Sequence, residues 1–133
     1  IATGTGITPY RSMLPELAKK ILANPMLKVF IFHGVQYRQN VLYANDFLNY
    51  MEQFPNQFFY RSYLSRQDLT KSHFSYEYSG YVQKDFSDLA IEPKEDIFYL
   101  CGNPHMIDEA FLKLQNLGLP TNKILREKYI SSK

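Results

Sequence analysis

Ile1-Ala2-Thr3-Gly4-Thr5-Gly6-Ile7-Thr8-Pro9-Tyr10-Arg11-Ser12 is the stretch on which the reading of this chain turns. Gly4 and Gly6 leave Thr5 between two residues without a Cβ, so the turn can take positive φ and let an anion come close to the backbone. Thr8 is placed to cap a helix, and Pro9 suits the first helical position, where its missing N–H would be unpaired anyway. A helix start of this kind presents free N–H groups and a partial positive charge, which suits a phosphate. A tight strand-to-helix loop with no ligand is the competing reading. The full dinucleotide fingerprint has a third glycine three residues on, and Pro9 stands at that position.

Beyond the loop, residues 10–23 read as a helix, with Met13, Leu14, Leu17, Ala18, Ile21 and Leu22 at helical spacing. Pro15 inside it predicts a kink or a late start. Residues 28–35 form a β-rich run ending near Gly34, bounded like a buried parallel strand. Residues 41–54 read as a second amphipathic helix and 58–64 as an aromatic-rich strand. Residues 67–79 show no period and are expected to be loop. Gly80-Tyr81-Val82-Gln83 opens an ordered piece running into a short helix through Leu89. Residues 96–101 form a strand with Gly102-Asn103-Pro104 as its exit. Asn103 can cap the helix that follows to Leu117, and Gly118 stops it. Residues 123–130 are the last strand.

This alternation predicts an α/β fold: a doubly wound, mostly parallel sheet of five strands with helices on both faces. Only Ile1 and Ala2 remain for the first, central strand, which is expected to be largely truncated. Residues 1–133 are expected to form one domain. The chain is 16% aromatic, with 11 Tyr and 10 Phe, and its net charge of +2 gives no argument for nucleic acid or a membrane surface. One cysteine excludes an internal disulfide and favours a reducing, cytoplasmic setting. No apolar run approaches the ~18 residues of a membrane span. His33, His73 and His105 lack metal-ligand spacing, so no metal site is expected. The run Phe58-Phe59-Tyr60-Arg61-Ser62-Tyr63 is read as a buried strand rather than a stacking platform for bases.

Four places fall at C-terminal ends of expected strands: residues 4–9, Ser65-Arg66, Cys101-Gly102-Asn103-Pro104 and Glu127-Lys128-Tyr129. In a doubly wound sheet such ends meet at one crevice. On these residues the chain resembles the ferredoxin–NADP⁺ reductase family. Residues 4–12 match that family's phosphate loop, Gly-Thr-Gly-Ile-x-Pro-aromatic-Arg-Ser, at every fixed position. Residues 101–106, Cys-Gly-Asn-Pro-His-Met, match the bacterial form of its Cys-Gly segment, and Glu127-x-Tyr129 its Glu-x-aromatic ending.

The resemblance implies an NAD(P)(H)-binding domain of a flavoprotein reductase, with an FAD-binding β-barrel domain preceding it outside this chain. The implied activity is hydride transfer between NADP(H) and the flavin, with onward transfer to ferredoxin, flavodoxin or another acceptor. It implies that Gly4, Thr5, Gly6 and Pro9 hold phosphate, and that Cys101 and Glu127 lie at the nicotinamide. Gly102 would let the cofactor approach, Asn103, Pro104 and Met106 would aim a second helix start at it, and Tyr129 would stack on the flavin. Ser65 and Arg66 match the pair that grips the 2′-phosphate, and Tyr81 and Gln83 match Tyr-x-Gln, whose ring and amide meet adenine or ribose. Ser79 stands where plant-type members have lysine, with Lys71 and Lys84 as replacements to consider. Use of NAD(H), as in an NADH-using reductase component, stays open, as does a non-catalytic nucleotide-binding module. An FMN-binding electron carrier is the third class, which the Cys-Gly-Asn-Pro and Glu-x-Tyr matches disfavour.

Overall fold

The computed structural model describes residues 1–129. Six parallel strands form one sheet: β1 (Ala2–Thr3), β2 (Val29–Val35), β3 (Phe58–Leu64), β4 (Glu77–Ser79), β5 (Phe98–Gly102) and β6 (Ile124–Lys128), in the order β4-β3-β2-β1-β5-β6. The expected five strands are therefore corrected to six. The addition, β4, lies in the stretch expected to be loop. Three residues, Glu, Tyr and Ser, are too few to show a period, and β4 exists because Ser62, Tyr63 and Leu64 of β3 pair with them. Ile130, expected to end the last strand, lies outside the described residues. Short as it is, β1 sits in the middle, with Ala2 in register with His33 on one side and Cys101 on the other.

Alternation along each strand sorts side chains to two faces. Ile31, Tyr60 and Cys101 join the cluster beneath α1 (Thr8–Ala23) and α2 (Ala44–Gln53), while Phe32, Tyr63 and Leu100 join the one beneath α3 (Pro104–Asn116). Helices thus cover both faces, as expected. Phe32, Tyr63, Ile107 and Leu114 are wholly buried, and each such side chain stabilises the fold by about 1.5–3 kcal/mol. The aromatic run is a buried strand: the Tyr60 ring stacks on Phe47 at 5.3 Å, and the Arg61 guanidinium lies over Phe32 and Tyr78 at 5.1 and 4.6 Å.

The helix boundaries differ from expectation at two starts. Thr8 is already inside α1 and makes no capping bond with its side chain, because a 3-10 turn over Gly4–Ile7 feeds directly into the helix. Pro9 sits in the first turn, and Pro15 is carried without ending the helix. The second helix begins at Ala44 rather than residue 41. Tyr43 ahead of it takes φ 62, and a separate 3-10 turn at Arg38–Asn40 is pinned by Asn40 Oδ1, which accepts from Tyr37 N at 3.1 Å. Helix α3 obeys its signals. Asn103 Oδ1 accepts from His105 N and Met106 N at 2.8 and 3.4 Å, and Gly118 at φ +96 stops it.

Candidate functional site

Strand order reverses between β1 and β5, and the chain leaves both strands at their C-terminal ends. There the sheet opens a cleft of about 1090 Å³, larger than the ~300–1,000 Å³ usual for a compact ligand. Of the residues expected at a site, Gly4, Thr5, Ser65, Arg66, Tyr81, Gln83, Asn103, Met106 and Tyr129 line it. They come from five separate segments, which meet at one crevice.

The two loop glycines serve different ends. Gly4 takes φ +53 with open space where a Cβ would point, so its turn is what calls for glycine. Gly6 does not line the cleft. A Cβ there would lie 2.5 Å from the Cys101 carbonyl oxygen and 2.9 Å from Gly102 Cα, so Gly6 packs the loop onto the end of β5. Gly102 likewise meets protein: at φ +133, any Cβ would collide with Thr3 Oγ1 and its backbone. Thr3 Oγ1 in turn accepts from Asn103 N at 2.8 Å. Pro9 and Pro104 stand in the first turns of α1 and α3 and do not line the cleft.

His33 holds the loop from below. It is wholly buried at the C-terminal end of β2, with Nε2 2.8 Å from the Gly4 carbonyl oxygen. A carbonyl only accepts, so Nε2 carries a proton. Nδ1 is buried with no partner among the described residues. Burial, opposed by the bond to Gly4, pushes the imidazole down to about 4.

Cys101, Glu127 and Tyr129 form a second corner. Cys101 and Glu127 are in register on β5 and β6, and Tyr129 N donates to Gly102 O at 2.7 Å. Cys101 is only 2% exposed and does not line the cleft, whereas Tyr129 does. Burial pushes the thiol up, with the nearby Tyr129 hydroxyl opposing the effect and Glu127 adding to it. The buried phenol of Tyr10 belongs to this corner. Burial, then Cys101, Glu127 and Tyr129, push its pKa well above the usual tyrosine range.

On the opposite wall, the exposed Arg66 side chain has no hydrogen bond or ion pair among the described residues. Arg38, by contrast, is spent on Glu77: Nε and Nη2 donate to the carboxylate at 2.6 and 2.8 Å. Glu77 also accepts from Phe74 N at 2.8 Å, so this ion pair ties down residues 67–76. Tyr81 is 69% exposed and projects at the rim. Gln83 is buried and its Nε2 donates to Glu109 Oε2 at 2.6 Å. Lys84 Nζ lies 3.2 Å from the Ser79 carbonyl, whereas Lys71 is exposed in the preceding loop.

Thr3, Asn40, Leu42 and Glu109 also line the cleft and were not singled out by sequence. Thr3 lay inside the quoted stretch, and its place between two glycine turns was the available signal. Leu42 fell inside a stretch read as helix, Asn40 lay just before that stretch, and Glu109 lay in the expected helix after Asn103 with nothing local to mark it out.

This fold and cleft define an NAD(P)-binding α/β domain of the kind found in flavoprotein reductases. The chain belongs to the oxidoreductase NAD-binding domain family, which matches residues 1–111. It is 33% identical over 122 residues to a ferredoxin–NADP reductase of Picosynechococcus, covering 84% of this chain and 29% of that protein. It is 26% identical over 138 residues to the toluate 1,2-dioxygenase electron transfer component of Pseudomonas putida, covering 99% of this chain and 37% of that one. The chain thus spans about a third of the length of these relatives. In fold it resembles the FAD/NAD-binding domain of a Vibrio cholerae nitric oxide dioxygenase, with TM-score 0.78, 19% identity, and coverage of 96% and 48% of the two chains. No helix among the described residues is long and apolar enough to cross a membrane.

Proposed function

We propose that this chain is the NADP(H)-binding part of a flavoprotein reductase that exchanges hydride with an FAD held on another domain, the electrons then passing to ferredoxin, flavodoxin or a similar acceptor. The observation that carries the reading is the single cleft shared by the Gly4–Thr5 loop, Ser65-Arg66, Tyr81 and the capped start of α3. The pieces fit a phosphorylated dinucleotide. The loop backbone and the start of α1 suit the pyrophosphate. The unpaired Arg66 guanidinium with the Ser65 hydroxyl suits a 2′-phosphate, and the exposed Tyr81 ring offers a stacking face for adenine. Lys84, beside Ser79, stands in for the lysine missing at that position.

When bound, nicotinamide and flavin supply the redox chemistry. This chain's residues bind and orient. Cys101 and Glu127 sit at the end of the sheet where the nicotinamide would lie, with Tyr129 over the thiol as the element that must yield for a ring to reach it. No side chain of the chain need take or give a proton in the hydride step.

Calorimetry with NADP⁺ and NAD⁺ on the protein and on Arg66→Ala tests the reading. A charge-assisted bond is worth roughly 1.5–3 kcal/mol, so the variant should bind NADP⁺ about 10- to 150-fold more weakly. NAD⁺ affinity should barely change. Equal affinity for both nucleotides in the unsubstituted protein, or equal losses in the variant, moves the assignment to NAD(H), as in an NADH-using reductase component.

A further inference from the structure

Gln83 and Glu109 make an arrangement that the pyrophosphate and 2′-phosphate sites leave unexplained. Gln83 is 6% exposed and lines the cleft. One end of its amide lies 2.6 Å from Glu109 Oε2. Two acceptor oxygens at that separation would repel, so the end facing Glu109 is Nε2, donating to the carboxylate. That choice fixes the other end. Oε1 is buried and has no partner among the described residues. A buried acceptor left alone costs about 1–3 kcal/mol, which a ligand donor would recover. The backbone is held as well, since Lys113 Nζ donates to Gln83 O at 3.2 Å. Glu109 and Lys113 lie one turn apart on α3, so both bonds anchor the 80–85 segment to that helix.

We propose that Glu109 is a positioning residue: by accepting from Gln83 Nε2 it presents Gln83 Oε1 to the cleft as the acceptor for an N–H or O–H on the adenosine half of the nucleotide. The polarity of the pair decides what is admitted. Oε1 and the adjacent carboxylate favour a hydrogen donor and disfavour a phosphate or a carbonyl, so this wall reads base or sugar while Arg66 reads phosphate. The donor is the adenine 6-amine or the 3′-hydroxyl, the two groups of 2′-phospho-AMP with that chemistry. This inference rests on the nucleotide reading of the cleft and adds a role that the reading does not require.

The test is calorimetry of three ligands: 2′-phospho-AMP, its inosine counterpart, which carries a carbonyl in place of the amine, and its 3′-deoxy counterpart. Each is titrated into the unsubstituted protein, Glu109→Ala and Glu109→Gln. The unsubstituted protein should prefer 2′-phospho-AMP over one of the two analogues by about 10-fold or more, and that analogue names the donor. Glu109→Ala frees the amide to turn over, so the preference should fall below about 3-fold. Glu109→Gln keeps an acceptor toward Nε2 and should keep the preference. Glu109 is an exposed helical position where alanine is a strong helix former, so unchanged circular dichroism confirms that the variant folds. An unsubstituted protein that binds all three ligands alike, or a Glu109→Ala variant with undiminished preference, overturns the inference while leaving the cleft a nucleotide site. Failure of 2′-phospho-AMP to bind the unsubstituted protein overturns both.

Discussion

His33 should make this domain acid-sensitive, and the size of the effect follows from its surroundings. The ring is wholly buried, donates once to Gly4 O, and has no partner for Nδ1 among the described residues. Protonation would add a charge and a second N–H with no acceptor, and burial accordingly lowers the folded pKa to about 4 from the usual 6.5. The unfolded chain binds a proton between those values and the folded chain does not, so stability is complete above pH 6.5 and is lost as the pH falls. Linkage over that interval gives a loss of about 2 kcal/mol by pH 5 and about 3 kcal/mol by pH 4. Acidic groups with lowered pKa values, such as Glu77 beside Arg38, add their own acid loss, so a reference is needed. His33→Gln supplies it, because its Nε2 can still donate to Gly4 O but does not titrate. Urea unfolding of both proteins from pH 7.5 to pH 4 should show the unsubstituted protein losing about 3 kcal/mol more than the variant. Parallel curves would refute the buried, neutral His33.

Two further outcomes follow from contacts around the loop and thiol. Gly6→Ala should destabilise by about 2 kcal/mol or more, since its Cβ meets the Cys101 carbonyl at 2.5 Å, whereas Gly4→Ala meets open space and should cost only about 1 kcal/mol for its positive φ; denaturant midpoints of both variants would show it. Cys101 should react slowly with an aromatic disulfide reagent near pH 8 because its thiol is buried and its pKa raised. Tyr129→Ala should speed that reaction several-fold; an unchanged rate would mean that the ring does not guard the thiol.

What sequence could show about this chain was local. Asn103-Pro104 and Gly118 announce the two ends of α3 because caps act within a few residues. The Gly-Thr-Gly-Ile-x-Pro stretch announces a strand-to-helix loop for the same reason. Gly6 and Gly102 read from sequence as openings for a ligand, yet the structure shows each pressed on the backbone of another strand end. That contact joins residues about 100 positions apart and leaves no local trace. Strand β4 escaped because pairing with β3, and the Arg38–Glu77 bond nearby, create it. Glu109 escaped because its partner Gln83 lies 26 residues earlier. Cys101 was legible as a residue of the site's end of β5, but its burial behind the cleft surface depends on packing around Tyr129 that no spacing reveals.

Binding of NADP(H) in the cleft at the C-terminal strand ends is tested most directly by titrating isotopically labelled protein with NADP⁺ and following amide chemical shifts. Saturable shifts are expected at Thr5, Ser65, Arg66, Tyr81 and Asn103, with Phe30, Phe59 and Leu125 near the other end of the sheet unmoved. Shifts confined to that other end, or none at millimolar NADP⁺, would contradict it.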